Sequence, residues 1–274
     1  MVGCGDRVVV SVLEHHSNFV PWQQLCAKRG AQLVVLDLDE RGDVDLGQLG
    51  RVLDDSTAGP VRIVALAGCS NVLGSTLPVR RVADAVHAAG ALLVLDGAQV
   101  MRHGRVDVAQ MGCDFLALSG HKMMAGTGIG ALVGPLASME LLKPRDFGGE
   151  MVDKVTHEST TFSDLALAAA CDYLTALGRE DVAAWEDELV EHALARLADV
   201  PGLKVLGSPR RRSGLVSFEV DGVHPLDLCT MLDTRGVALR SGHNCAQPVL
   251  DWYGLTSVAR MSPAFYNTKA EIDY

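Results

Sequence analysis

Two short segments hold residue types able to do covalent chemistry. In Val94-Leu95-Asp96-Gly97-Ala98-Gln99 an apolar strand delivers a carboxylate to its own carboxyl end, just before a glycine turn. In an open α/β sheet, ligands gather along that edge. Taken alone, such an aspartate serves as well to cap the next turn or helix. In Leu118-Ser119-Gly120-His121-Lys122 another strand end is followed by a lysine. Its amine can form an imine with a carbonyl once its surroundings lower its pKa, whereas a single lysine without such a setting is a solvated surface residue. Ser119 and His121 could bond a phosphate, and Gly126-Thr127-Gly128-Ile129-Gly130 allows close backbone approach. Together the two segments meet a known demand: pyridoxal phosphate (PLP) needs a lysine for its imine and an acidic partner for its pyridinium nitrogen.

The elements around them alternate in a βαβ rhythm. Arg7–Leu13, Gln32–Leu38, Arg62–Ala67, Ala91–Leu95, Phe115–Leu118 and Ile129–Val133 are near-continuous apolar runs, as expected for strands covered on both faces. Between them, Val79, Val82 and Val86 recur at helical spacing in Val79–Ala89, with Gly90 as the stop. This rhythm predicts a mostly parallel, doubly wound sheet with ligands at the carboxyl ends of its strands, followed by a loop rich in glycine and charge, Lys143–Gly149. From about Gly178 the pattern changes. A long amphipathic helix over Val182–Ala198 carries Trp185, Leu189, Ala193, Leu194 and Leu197 on one stripe. Strands near Leu203–Leu206 and Leu215–Val220, a helix from Pro225 and a strand at Val237–Arg240 follow. The expected division is a large domain over 1–178 and a smaller α+β domain over 179–274. Thr268-Lys269-Ala270-Glu271 has the form of a capping box, although a helix of one turn does not stand alone.

Composition narrows the classes. The 274 residues carry a net charge of −10, with 48% hydrophobic and 21% charged residues, the profile of a globular domain without a basic nucleic-acid footprint. Arg210-Arg211-Arg212, after the turn chemistry of Gly207-Ser208-Pro209, is expected to be a solvated loop between strands. Seven cysteines, scattered and without a C-x-x-C pair, form neither a disulfide framework nor a zinc site, which suggests a reducing, cytoplasmic compartment and no bound metal. No signal peptide or membrane-spanning stretch is expected. Most of the cysteines are expected to be small buried hydrophobes. His16 is expected to be a structural hydrogen-bonding residue, and His103 and His224 ordinary loop or surface positions.

Several motifs carry a family resemblance. Asp96-Gly97-Ala98-Gln99, Ser119-Gly120-His121-Lys122, Ser70-Asn71-Val72-Leu73-Gly74 and Glu14-His15-His16-Ser17-Asn18-Phe19-Val20-Pro21-Trp22 resemble those of class V aminotransferase-fold enzymes. The last of these, with Arg240-Ser241-Gly242-His243-Asn244-Cys245-Ala246-Gln247-Pro248, resembles Suf-type (group II) cysteine desulfurases, and the likeness runs in order along nearly the whole chain. It implies the PLP-dependent transferase fold of type I and a homodimer. Lys122 would hold PLP and act as base, Asp96 would pair with the pyridinium nitrogen, Gln99 would bond the ring oxygen, and His15 would stack on the ring. Ser119 and His121 would bind the phosphate. Asn71 and Arg260, the latter in Val258-Ala259-Arg260-Met261-Ser262, would grip the carboxylate of L-cysteine. Cys245, in a loop with His243 and Arg240 at hand to favour thiolate, would take the sulfur as a persulfide and hand it to a Suf-type acceptor protein, leaving alanine.

The chain also departs from the resemblance. The family's stretch before the first strand, with a Thr-bearing turn for the phosphate, is not present, and neither is its R-F-E-x-G-T-P-type segment after Thr160-Thr161-Phe162-Ser163-Asp164, before a helix over Ala166–Leu177. Ala125-Gly126 replaces a Gly-Pro. Both ends look cut. Two accounts fit: the residues are the ordered part of a longer chain, or they form a true truncation. The functional alternatives are a selenocysteine lyase, another lyase or transaminase of the superfamily, and a catalytically silent scaffold or regulatory partner.

Overall fold

The computed structural model describes residues 2–102, 106–125, 127–139, 141–142, 154–155, 160–161 and 175–274. The loop expected over Lys143–Gly149, most of the helix expected over Ala166–Leu177, and residues Gly126, His103, Cys171 and Phe162-Ser163-Asp164 lie outside them.

Strands β1 (Arg7–Ser11), β2 (Gln32–Leu36), β3 (Val61–Ala67), β4 (Leu92–Asp96), β5 (Phe115–Ser119) and β6 (Gly130–Val133) form one sheet in the order β2-β1-β3-β4-β5-β6. Every neighbouring pair is parallel except β5 with β6. The apolar runs are explained by their burial: all five residues of β1 are buried, and Val64, Leu66, Leu93 and Leu95 have no exposed surface. Helices α1 (His16–Arg29), α2 (Leu46–Asp54) and α3 (Val79–Ala88) make the crossovers. In α3 the buried residues are Val79, Val82, Ala83 and Val86, a single stripe laid on the sheet. The observed order puts the carboxyl ends of β1, β3, β4 and β5 side by side, so residues after Ser11, Ala67, Asp96 and Ser119 share one edge.

Farther along, Lys154–Val155 (β7) pairs with Thr160–Thr161 (β8). Strands β9 (Leu203–Val205), β10 (Val216–Val220), β11 (Arg240–Gly242) and β12 (Val258–Met261) form an antiparallel sheet ordered β11-β12-β10-β9. The short helices α4 (Val108–Met111) and α5 (Leu136–Met139) precede the long α6 (Arg179–Ala198), and α7 (Pro225–Asp233), α8 (Gln247–Trp252) and α9 (Lys269–Asp273) complete the chain. Val190 of α6 packs with Val216, Phe218, Cys229 and Ala259 in the core of this second sheet.

Three details differ from the sequence reading. The strand expected at Val237–Arg240 begins only at Arg240, because Val237 N–H donates to Leu232 O and Gly236 takes φ +83° to close α7. Val237 is therefore engaged by the helix end and unavailable to a ladder. The one-turn α9 does form. Its capping box is complete, and it is tied to α6 by Lys269–Glu188 at 3.0 Å and by Asp273 with His192 and Arg196, both at 2.8 Å. The arginine run is more than a solvated loop. Arg210 pairs with Asp39 and Asp43, and the half-buried Arg212 donates to Leu73 O, Leu206 O and Gly207 O. It works as a rivet between the turn after β3 and the turn after β9, joined by Ser217 Oγ donating to Val72 O at 2.6 Å. Among the described residues no helix is long and apolar enough to cross a membrane, and no cluster could hold a metal ion.

Candidate active site

Asp96 ends β4 and its Oδ1 accepts from Ala98 N at 2.9 Å. The turn lies tight against β5, with Gly97 N donating to Ala117 O. A Cβ on Gly97 would stand 2.4 Å from Leu116 Cδ1, so only glycine lets the turn pack there. Gln99 follows, half-buried, one residue before a short 3-10 helix over Val100–Arg102.

Lys122 sits on a second 3-10 helix, Gly120–Met123, directly after β5. Gly120 N donates to Ile129 O and Ala125 N to Gly120 O, which fixes the turn. Ser119 Oγ and His121 Nδ1 lie 2.9 Å apart. The Lys122 amine is held below its ordinary pKa, first by burial and then by the positive charges of Arg260 and Arg240, while Asp96 opposes the shift. The amine is thereby nearer its nucleophilic, neutral form than a surface lysine.

His15 is the N-cap of α1, its Nδ1 accepting from Ser17 N at 3.1 Å. Burial, followed by repulsion from Lys122, lowers its pKa and favours the neutral imidazole, with Asp96 acting in the opposite sense. Lys122, Asp96 and His15 thus share one electrostatic neighbourhood although they come from three separate strand ends.

The second sheet brings the remaining residues. Arg260 on β12 and Arg240 on β11 are register partners. Arg260 Nη1 donates to Asn71 O at 2.8 Å, and Asn71 Nδ2 donates to Asn244 O at 2.6 Å. Cys245 follows, half-buried, with φ +55° after Asn244 at φ +50°. Its N–H donates to His243 Nδ1 at 3.1 Å and its carbonyl accepts from His16 N at 2.8 Å. The side chain of Asn71 is thus committed to the Cys245 loop through its amide nitrogen, a connection the motif alone did not indicate. His16 meets the expectation of a structural hydrogen-bonding residue, its Nε2 accepting from Gln247 N at 3.2 Å. His224 caps α7 by accepting from Leu226 N.

Two groups went unassigned in the sequence. Glu14 is fully buried and its carboxyl is pushed up to about 7 by burial, against hydrogen bonds from Ser11, Asn18 and Ala67. Its signal was local: Ser11 and Asn18 stand three before and four after it, and donate to its two oxygens at 2.6 Å each. Cys69 is buried beside the site and its thiol is pushed up to about 12, chiefly by desolvation, so it stays protonated. A cavity of about 560 Å³ lined by Asp39, Asp43, Arg81 and Arg210 includes none of Lys122, Asp96 or Cys245.

The donor set fits PLP: a desolvated amine for the carbonyl carbon, a carboxylate within its field for a ring nitrogen, a neutral imidazole, and a hydroxyl–imidazole pair beside the lysine. Comparisons with known proteins agree in kind. The family model described as aminotransferase class-V matches residues 2–274. The chain is similar to a probable cysteine desulfurase of Halalkalibacterium halodurans, with 41% identity over 99% of this chain and 70% of the relative. It is also similar to a cysteine desulfurase of Dickeya dadantii, with 40% identity over 98% of this chain and 68% of the relative. Among solved structures, the cysteine desulfurase CsdA of Escherichia coli in an S-sulfonic acid form superposes with a TM-score of 0.89 at 34% identity, covering 99% of this chain and 70% of that one.

Proposed function

This chain belongs to the class V aminotransferase family, and we propose that within it the protein is a cysteine desulfurase that uses PLP to move sulfur from L-cysteine to its own Cys245. The observation that carries the reading is the tie from Asn71 to the Cys245 loop: Arg260, Asn71 and Asn244 are joined in one hydrogen-bonded series that begins in the field of Lys122.

Lys122 Nζ would hold PLP, with Asp96 facing the ring nitrogen, Gln99 the ring oxygen, His15 the ring face, and Ser119 with His121 the phosphate. When bound, PLP supplies an electron sink for the bonding pairs released at the substrate's α-carbon. The chain's residues do the rest. Arg260 and Asn71 orient the substrate carboxylate, the guanidinium as a two-pronged donor. Lys122, its pKa lowered by burial, takes and returns the α-proton at Nζ. Cys245 Sγ, as thiolate, forms an S–S bond with the substrate sulfur while the substrate's carbon–sulfur bond breaks. The balance is L-cysteine plus the Cys245 thiol giving L-alanine plus a Cys245 persulfide.

Finer points belong to the same proposal: the Suf-type subgroup, a partner protein that accepts the persulfide sulfur, a homodimer, a cytoplasmic setting, and a division into a large domain over 1–178 and a small one over 179–274. The test is the visible absorbance of the purified protein before and after L-cysteine, with alanine and sulfide assayed, in the wild type and in Lys122→Ala. The expected result is a coloured protein whose spectrum shifts with L-cysteine and which releases alanine, both lost in K122A. A protein that stays colourless and inert after added PLP would overturn the proposal in favour of a silent scaffold.

A further inference from the structure

Gly242, Asn244 and Cys245 have φ of +114°, +50° and +55°. Two consecutive non-glycine residues in the left-handed region are costly and persist only where surrounding contacts over-determine them. Part of that hold is the Asn71 amide on Asn244 O. Bonds within the loop add to it, Cys245 N to His243 Nδ1 and Ala246 N to His243 O, and a further part comes from the first residue of α1.

His16 holds the chain at Cys245 and again two residues beyond it. Its main-chain N–H donates to Cys245 O at 2.8 Å, and its Nε2 accepts from Gln247 N at 3.2 Å. The second bond fills a specific need. Gln247 opens α8, whose first-turn N–H groups have no partner within the helix. The N-cap there is Ala246, whose methyl cannot accept, and no side-chain cap bond forms. His16 supplies the missing cap from another part of the fold. Accepting at Nε2 places the ring proton on Nδ1. The ring lies 5.6 Å from that of His243, which in turn accepts from Cys245 N. The Cys245 carbonyl and the Gln247 amide are therefore fastened to α1, whose N-cap His15 lies in the field of Lys122 and Asp96.

We propose that His16 is a positioning residue for Cys245, holding the strained loop so that the thiol is presented to the substrate sulfur. This deepens the desulfurase reading and rests on it for the identity of the incoming sulfur, but the hold on the cysteine can be read separately. Position 16 is the first residue of α1 after the His15 cap, where proline is tolerated, and His15 at φ −60°, ψ 147° suits a residue before proline. His16→Pro removes both bonds. His16→Ala removes only the acceptor, and His16→Gln returns one.

The experiment measures the rate of Cys245 alkylation by iodoacetamide, followed by peptide mass mapping, beside the visible absorbance, kcat and KM of the PLP-loaded protein. The result expected in H16P is alkylation faster by at least about fivefold, the scale of a lost pair of bonds to buried groups, with kcat reduced and both absorbance and KM for L-cysteine unchanged. H16A should fall between H16P and wild type, and H16Q should recover most of the difference. An alkylation rate within twofold of wild type in a folded H16P protein overturns the proposal; if H16P does not fold, the same result in H16A does so. A wild type without desulfuration but with faster alkylation in H16P would reject the enzymatic reading while keeping the clamp.

Discussion

Asn71 Nδ2 donates to Asn244 O at 2.6 Å, joining the turn after β3 to the loop that presents Cys245. Arg260 holds the other face of Asn71 through its carbonyl. One residue thus touches both the proposed carboxylate clamp and the sulfur-accepting loop. Asn71→Asp keeps the shape but replaces the donor by an acceptor facing a carbonyl. Leaving a buried acceptor unmatched costs about 1–3 kcal/mol, so kcat/KM for L-cysteine should drop by roughly five- to a hundredfold. Steady-state kinetics check it, and a change below threefold would count against a shared role.

Cys245→Ala should leave the lysine-bound cofactor's absorbance intact, since Lys122, Asp96 and His15 are held by other elements. Desulfuration of L-cysteine should be lost. Selenium leaves more readily, so selenocysteine turnover in the same variant should fall less. A mutant that desulfurates L-cysteine at the wild-type rate removes Cys245 from the mechanism.

The parts legible in the sequence were those written in local patterns. Continuous apolar runs located the strands because both faces of the sheet are covered, and the Val79, Val82, Val86 spacing located α3 because those residues share its buried stripe. Asp96 and Lys122 could be placed at strand ends because each follows its strand directly. What could not be read were bonds made across the fold. Arg212 looked like one more charge after a turn, yet its carbonyl partners include Leu73, 139 positions away. Val237 looked like a strand residue, but the end of α7 claimed its N–H. The cap that His16 gives α8 spans 231 positions, and no local pattern encodes it.

Arg212→Ala should destabilise the fold without altering the chemistry. Its guanidinium donates to Leu73 O at 2.7 Å, Gly207 O at 2.7 Å and Leu206 O at 3.0 Å, and truncation strands these carbonyls in a half-buried joint. The expected loss is about 2–3 kcal/mol, read from urea unfolding, with KM for L-cysteine unchanged in the folded protein. Replacement by lysine should recover little, because one ammonium cannot reproduce the fork.

Glu14 makes stability depend on pH in a window with a defined sign. Its carboxyl titrates at about 7 in the fold, against an ordinary 4.5, because burial outweighs its hydrogen bonds. The folded state therefore keeps a proton that the unfolded chain has already lost. This contribution is fully present below pH 4.5 and is lost as the pH rises toward 7, by about 3 kcal/mol in all. His15 works in the opposite sense, since its lowered pKa adds stability as the pH rises toward 6.5, so the wild-type profile alone does not isolate Glu14. Glu14→Gln does. The amide can give its NH₂ to Ser11 Oγ and keep its oxygen toward Asn18 Nδ2, preserving the packing. The difference in unfolding free energy between E14Q and wild type should grow in favour of the mutant from about pH 5 to about pH 7 and then level off. Two parallel profiles across that range would mean that Glu14 is ionised throughout and that its three donors, Ser11, Asn18 and Ala67, outweigh the cost of burial.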